Sequence, residues 1–447
     1  MRPFRLWLIL INVISLTVDT DPGVDDAIAI LLALASPEIE IIAFVVSFGN
    51  TDVEASYRNI FKIYQAVGRH IDQHPEAHEL FPGYTSVRKP LLLKGATGPL
   101  SGELHSATYF HGRDGLSDIS ESHPELNPPE DLLSAGNHPH LEVSDHPAHE
   151  AVLDLLRKRP PRSVTYISLG PLTNLAQTLR TDGACVRERI GRVVIMGGAL
   201  DVPGNATPSA EFNFFADSYA VDEVLISPTT RLPLARVLLL PLDITSTHLL
   251  PFSTYTTHID PAFATDTPSI PTAKKPLTHF TSAFLRRARS VMRAYGRDAM
   301  ELHDIAAVWA AIAHPPGLEG SAPGWTARRR SFLMERVGEL TCGMCVVDRR
   351  DDKGAYAPGA NRARVQAELK SHMAAGSPGG FGSLESVAVP ARVEVTDGPS
   401  HRCSDEQEGV PVVEGTPGAE ALLQVMVKRI WHVVVDKENL TADLLLV

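Results

Sequence analysis

The sequence predicts an α/β fold, a Rossmann-like, mostly parallel sheet flanked by helices, in a single large domain with insertions. Along much of the 447 residues, β-branched apolar runs alternate with helix-length stretches, as in βαβ units. The runs stop at polar or glycine turns such as Gly49-Asn50, Gly170-Pro171 and Gly197-Gly198. Four carboxylates, Asp19, Asp21, Asp25 and Asp26, crowd into eight residues between two apolar runs. That is where open α/β sheets place ligands, at the carboxyl ends of their strands.

Taken in order, Ile11 to Val18 reads as the first strand, Pro22-Gly23 as a tight turn, and Ala27 to Ala35 as a buried helix. A helix dipole accounts for one or two acids at a helix start. Four together repel unless a cation or a shared proton relieves them. The stretch therefore reads as an oxygen-ligand site for a hard cation, Ca²⁺ or Mg²⁺. Ile39 to Ser47 is the second strand, ending in Phe48-Gly49-Asn50-Thr51, and Val53 to Val67 is a helix. Residues 83–118 are punctuated by glycine and proline and contain His111-Gly112-Arg113-Asp114-Gly115-Leu116, a loop suited to closing over a substrate.

Residues 119–149 form a proline- and histidine-rich insertion. His138, His140, His146 and His149 raise a zinc reading, but the prolines and the lack of a helical H-x-x-x-H favour a flexible surface loop. Alternation then returns with helix Ala151 to Lys158, strand Val164 to Leu169, the turn Gly170 to Asn174 into a helix, and strand Val193 to Met196. The loop from Pro203 to Asn213 presents Asn205, Glu211 and Asn213, groups suited to sugar hydroxyls, which both donate and accept. A helix over Asp217 to Leu225, a strand over Arg236 to Ile244 and an amphipathic helix over Leu277 to Ala294 follow. His303-Asp304 opens an apolar helix, Tyr295 and Trp309 are candidates for stacking on a base, and Gly338 to Asp348 reads as a strand. The core thus spans 1–349. Residues 350–411, rich in glycine, proline and charge, read as a partly disordered insertion. Residues 412–447 bring a closing helix, Ala421 to Val434, back onto the core.

Composition narrows the partners. A net charge of −12 argues against DNA or RNA, and 44% hydrophobic residues permit a large core. Four scattered cysteines make no disulfide scaffold, and Cys342-Gly343-Met344-Cys345, with no second pair, reads as packing. Arg2 and Arg5 before Leu6 to Leu16 look like a short signal peptide. The same run supplies the strand that delivers Asp19 and Asp21, so a cytoplasmic protein is expected, secretion being the alternative if 1–17 is cleaved. No membrane association is expected.

Asp19-Thr20-Asp21-Pro22-Gly23-Val24-Asp25-Asp26-Ala27 resembles the D-x-D-P-G-x-D-D-A signature of the inosine–uridine preferring nucleoside hydrolases. Further likenesses are H-G-x-D-G-L at His111, G-P-L-T-N at Gly170, G-N-x-x-x-x-A-E-F-N at Gly204, and H-D at His303, where Ile305 departs from the pattern. Gly338 to Asp348 resembles a final G-x-x-T-x-G-x-x-V-V-D. The resemblance implies the nucleoside hydrolase fold and hydrolysis of ribonucleosides to ribose and base, in nucleoside salvage. It implies a Ca²⁺ held by Asp21, Asp25, Asp26, Asp304 and the Leu169 carbonyl, with Asp21 as general base and His303 near the leaving base. Asn50, His111, Asn205, Glu211 and Asn213 would bind substrate, in a homodimer or homotetramer. Two alternatives stand beside it: a haloacid dehalogenase-type phosphatase using Asp19 as nucleophile, and a non-catalytic ribose- or Ca²⁺-binding homologue.

Overall fold

The computed structural model describes residues 13–349 and 409–435, except 134, 135, 137 and 266, together with residues 440 and 444. The signal-like run before residue 13 and residues 350–408 of the expected insertion lie outside the described residues.

Nine strands form one sheet. Seven follow from the chain up to residue 240: β1 (Ile14–Thr20), β2 (Ile39–Val46), β3 (Leu91–Lys94), β4 (Glu142–Ser144), β5 (Val164–Ser168), β6 (Ile190–Met196) and β7 (Val237–Leu240). Two more, β8 (Thr326–Arg330) and β9 (Val410–Gly415), complete the order 8-9-7-6-5-1-2-3-4. Every pairing is parallel except β8 with β9. From β1 the chain builds outward through β2, β3 and β4, then returns to pair β5 on the other side of β1. β1 and β5 therefore flank the point where strand order reverses, and such a crevice receives ligands.

Helices cover the sheet. α1 (Val24–Leu34) is apolar on all sides and almost wholly buried, as a helix surrounded by other elements must be. It packs against α2 (Val53–Gln73), α6 (His303–Ala313) and α7 (Ala419–Trp431). Between them in sequence lie α3 (Ala148–Arg157) and α4 (Thr173–Arg189), which pack on each other, and α5 (Pro276–Ala294), which packs on α2. Arg429 of α7 donates to Ser36 and Glu38 just beyond α1, at 2.7–3.0 Å. Among the described residues no helix is long and apolar enough to cross a membrane.

Several expectations are corrected. Residues 119–149 are no loose loop: they supply β4 and bury His123 and His138, the latter with its ring 5.5 Å from Phe61 and 5.9 Å from Tyr64. A three-residue edge strand is too short to show alternation. The strand expected to reach Ile244 stops at Leu240, because Pro241 has no N–H for the ladder, and Leu242–Thr245 forms a helical turn. Within Gly338 to Asp348 the strand is Cys345–Val346, paired with Leu333–Met334 after a turn through Gly343 at φ +81°. β8 and β9 had no apolar alternation to betray them: β8 reads Thr-Ala-Arg-Arg-Arg and β9 carries Pro411. The charged, exposed β8 makes a sheet edge that discourages further pairing.

Val413 of β9 is buried within this sheet. Val413→Asp is expected to lower the unfolding free energy by about 3 kcal/mol, since it buries an unpaired carboxylate. A urea midpoint equal to that of the unmodified protein would remove β9 from the core.

Candidate active site

Asp21 follows β1, and Asp25 and Asp26 form the first turn of α1. Asp304 comes from the first turn of α6, which packs on α1. Carboxylate oxygens of Asp25, Asp26 and Asp304 lie within 4.8 Å of one another. Asp26 is the most heavily held of the set: Thr20 Oγ1 donates at 2.6 Å, the Gly23 N–H at 3.0 Å and Asn50 Nδ2 at 2.8 Å. Asp21 Oδ2 accepts the Asn50 N–H at 2.7 Å, whereas Asp21 Oδ1 is buried with no hydrogen-bond partner. Gly49 and Gly170 bracket this carboxylate. A Cβ on Gly49 would stand 2.0 Å from Oδ2, and one on Gly170 would stand 2.4 Å from Oδ1, so a larger residue at either position would displace the carboxylate.

Burial and mutual repulsion drive these groups away from ordinary carboxylates. Desolvation, then the neighbouring acids, raises Asp21 and Asp304 well above the usual range and Asp25 to about 7; burial also raises Asp26. A dication among them reverses that balance by favouring the ionised forms. The donors are oxygens, the site is buried, and one oxygen has no partner, a set that fits a hard cation of the Ca²⁺ or Mg²⁺ kind.

The other expected residues converge on the same place. A cavity of about 390 Å³ is lined by Asp25, Asn50, His111, Leu169, Asn205 and Glu211, and also by Asn213, His303 and Asp304. The Leu169 carbonyl, just past β5, accepts Asn213 Nδ2 at 2.7 Å. Glu211 caps the short helix Phe212–Ala216, accepting the N–H groups of Gly198, Asn213 and Phe214, and Asn205 accepts that of Phe212. Their carbonyl and carboxylate oxygens are thus partly engaged by the backbone, which fixes their orientation.

His111 is buried rather than solvated, and Val24 donates its N–H to the ring Nδ1 at 3.0 Å. Burial, with His303 nearby, pushes its pKa down to about 3, so the ring is neutral and carries its proton on Nε2. Its loop is pinned rather than poised to close. Asp114 accepts the N–H groups of Leu116, Asp118 and Ser120 and meets the buried Lys62 at 3.3 Å. His303 is held at both nitrogens, by Thr245 Oγ1 at 2.8 Å and Glu301 Oε2 at 3.1 Å. Burial works against a charged ring there, but Glu301, Asp25 and Glu211 outweigh it and raise the pKa.

Two readings change. Trp309 packs in the core beside Trp325, ring centroids 4.8 Å apart, whereas Tyr295 lines the cavity. Asp19, the nucleophile of the phosphatase alternative, is fully buried and lies outside the cavity lining. Its oxygens are taken by Tyr166 Oη at 2.7 Å and Asn174 Nδ2 at 2.8 Å. Sequence reasoning missed Thr245, Glu301, Arg297 and Tyr109. Of these Glu301 and Tyr109, two residues before His303 and His111 respectively, stood close enough to a motif to draw notice.

The model of the inosine-uridine preferring nucleoside hydrolases matches residues 16–373. An uncharacterized protein of Schizosaccharomyces pombe is 32% identical over 336 residues, 75% of this chain and 89% of that one. Uridine nucleosidase 1 of Arabidopsis thaliana is 33% identical over 214 residues, 48% of this chain, and that match spans 53% of the plant protein's length. A purine-preferring ribonucleoside hydrolase from Gardnerella vaginalis has a solved structure that superposes with a TM-score of 0.59, over 94% of this chain and 98% of that one. At 21% identity that likeness speaks to the fold alone.

Because a cation bound only by the folded state stabilises it, adding Ca²⁺ to chelator-treated protein at about a hundredfold above its Kd should give roughly 2.7 kcal/mol of stability. Asp26→Asn should shift the required concentration upward by about tenfold or more. A melting temperature indifferent to divalent cations would mean that the carboxyl groups share protons instead.

Proposed function

Since the chain belongs to the inosine-uridine preferring nucleoside hydrolases and is a hydrolase of N-glycosyl bonds, we propose that it cleaves ribonucleosides to ribose and free base at a Ca²⁺-dependent site with Asp21 as general base. The observation that carries this reading is the all-oxygen cluster of Asp25, Asp26 and Asp304, of which Asp25 and Asp304 line a cavity, with the buried, unpartnered Asp21 Oδ1 in the same acidic group.

Such hydrolysis passes through an oxocarbenium-like ribosyl cation. Asp21, Asp25, Asp26, Asp304 and the Leu169 carbonyl would hold a Ca²⁺, which would supply Lewis-acid activation of water. Asp21 Oδ1 takes the proton from the attacking water, while the Asn50 N–H on Oδ2 fixes the direction of the carboxylate. Asn50, His111, Asn205, Glu211 and Asn213 orient the sugar, their own rotamers fixed by the hydrogen bonds described above. Surplus negative charge in a buried site favours the developing cation. His303 Nε2 gives a proton to the leaving base, exchanging its Glu301 contact for a base nitrogen.

A cytoplasmic location and a homodimeric or homotetrameric assembly belong to the same reading. β1 is central and largely buried, and cleavage near residue 17 would remove half of it.

Ribose release from inosine, uridine, adenosine and cytidine, with and without a chelator, tests the proposal directly. Chelation is expected to abolish release, and Asp21→Asn to lower kcat about 10²–10⁴-fold with the fold intact. Near-normal turnover by Asp21→Asn would refute the base, and release from none of the four would refute the activity.

A further inference from the structure

The cavity lining is chemically mixed. Beside Asp25, Asp304 and Asn213 it contains Phe110, Met292, Met300 and two tyrosines, Tyr109 and Tyr295. The same lining holds an ion pair, Arg297 Nη1 to Glu301 Oε1 at 2.8 Å. The two side chains are 42% and 25% exposed, so both remain open to a ligand.

This pair has little to do for the fold. It spans four residues of one short segment and therefore ties no distant elements together. A part-exposed ion pair of this kind stabilises by less than about 1 kcal/mol. What it offers a ligand is more particular: a guanidinium donor and a carboxylate acceptor side by side in a cavity that Phe110, Tyr109 and Tyr295 also line. The in-plane edge of a nucleobase carries a neighbouring donor and acceptor that complement it. A simple aryl group has the flat faces without that edge and would leave both charged groups unpaired.

Resting on the nucleoside hydrolase reading, we propose that Arg297 and Glu301 are specificity-determining residues that read the donor–acceptor edge of the leaving base. The preferred substrates are then ribosides of hydrogen-bonding heterocycles rather than of aromatic leaving groups in general.

The test compares uridine, inosine and 4-nitrophenyl β-D-riboside as substrates of the unmodified protein, Arg297→Met and Glu301→Gln. Arg297 makes no hydrogen bond to His303, so Arg297→Met is expected to raise KM for both nucleosides about tenfold, leaving kcat for them and KM for the nitrophenyl riboside unchanged. Glu301→Gln should raise the same two KM values, with a fall in nucleoside kcat from the lost His303 contact in addition. Unchanged nucleoside KM values, or an equal loss on all three substrates, would overturn the proposal while leaving the hydrolase reading intact. Absence of turnover on every substrate by the unmodified protein would overturn both.

Discussion

Repulsion among buried carboxylates is the constraint on which this structure turns. Asp21, Asp25, Asp26 and Asp304 meet where the strand order reverses, and burial alone would press each toward its neutral acid. The surroundings are built to hold ionised oxygens all the same. Thr20, Gly23 and Asn50 supply three donors to Asp26, and glycines at 49 and 170 leave the Asp21 carboxylate the room that a side chain there would take. Such a centre is costly unless a counter-charge or shared protons relieve it, so structure and chemistry are coupled through one electrostatic balance.

Around it, rigidity has been chosen over motion. Asp114 gathers three backbone N–H groups and Lys62, which fixes the segment carrying His111, and Glu211 does the same for the turn carrying Asn213. Groups that must meet a transition state at fixed distances gain from being held before substrate arrives.

The parallel core was legible because its strands are apolar runs of ordinary length bounded by glycine turns, and the acidic stretch was legible because four like charges in eight residues have few physical excuses. The segments after β2, β5 and β6 then placed Asn50, Leu169 and Asn213 around one cavity, and the turn after β1 placed Asp21 against Asn50. What stayed hidden was hidden for physical reasons. β4 is three residues long, β8 is mostly arginine, and β9 carries a proline, so hydrophobic period could not reveal them. The pinning of His111 depends on Lys62, about fifty residues away in sequence, and the fixing of His303 on Thr245, nearly sixty away. Tertiary pairs of that kind leave no local trace.

The docking of α7 on α1, and of Arg429 on Ser36 and Glu38, bears on how the molecule is made. The helix that carries Asp25 and Asp26 is synthesised nearly four hundred residues before part of the surface that covers it. Until then α1 is an apolar helix without its full cover, and β7 lacks β9 beside it. Among the described residues α1 therefore gains its full cover only once α7 has been made. For that interval the nascent chain exposes the kind of surface that chaperones bind.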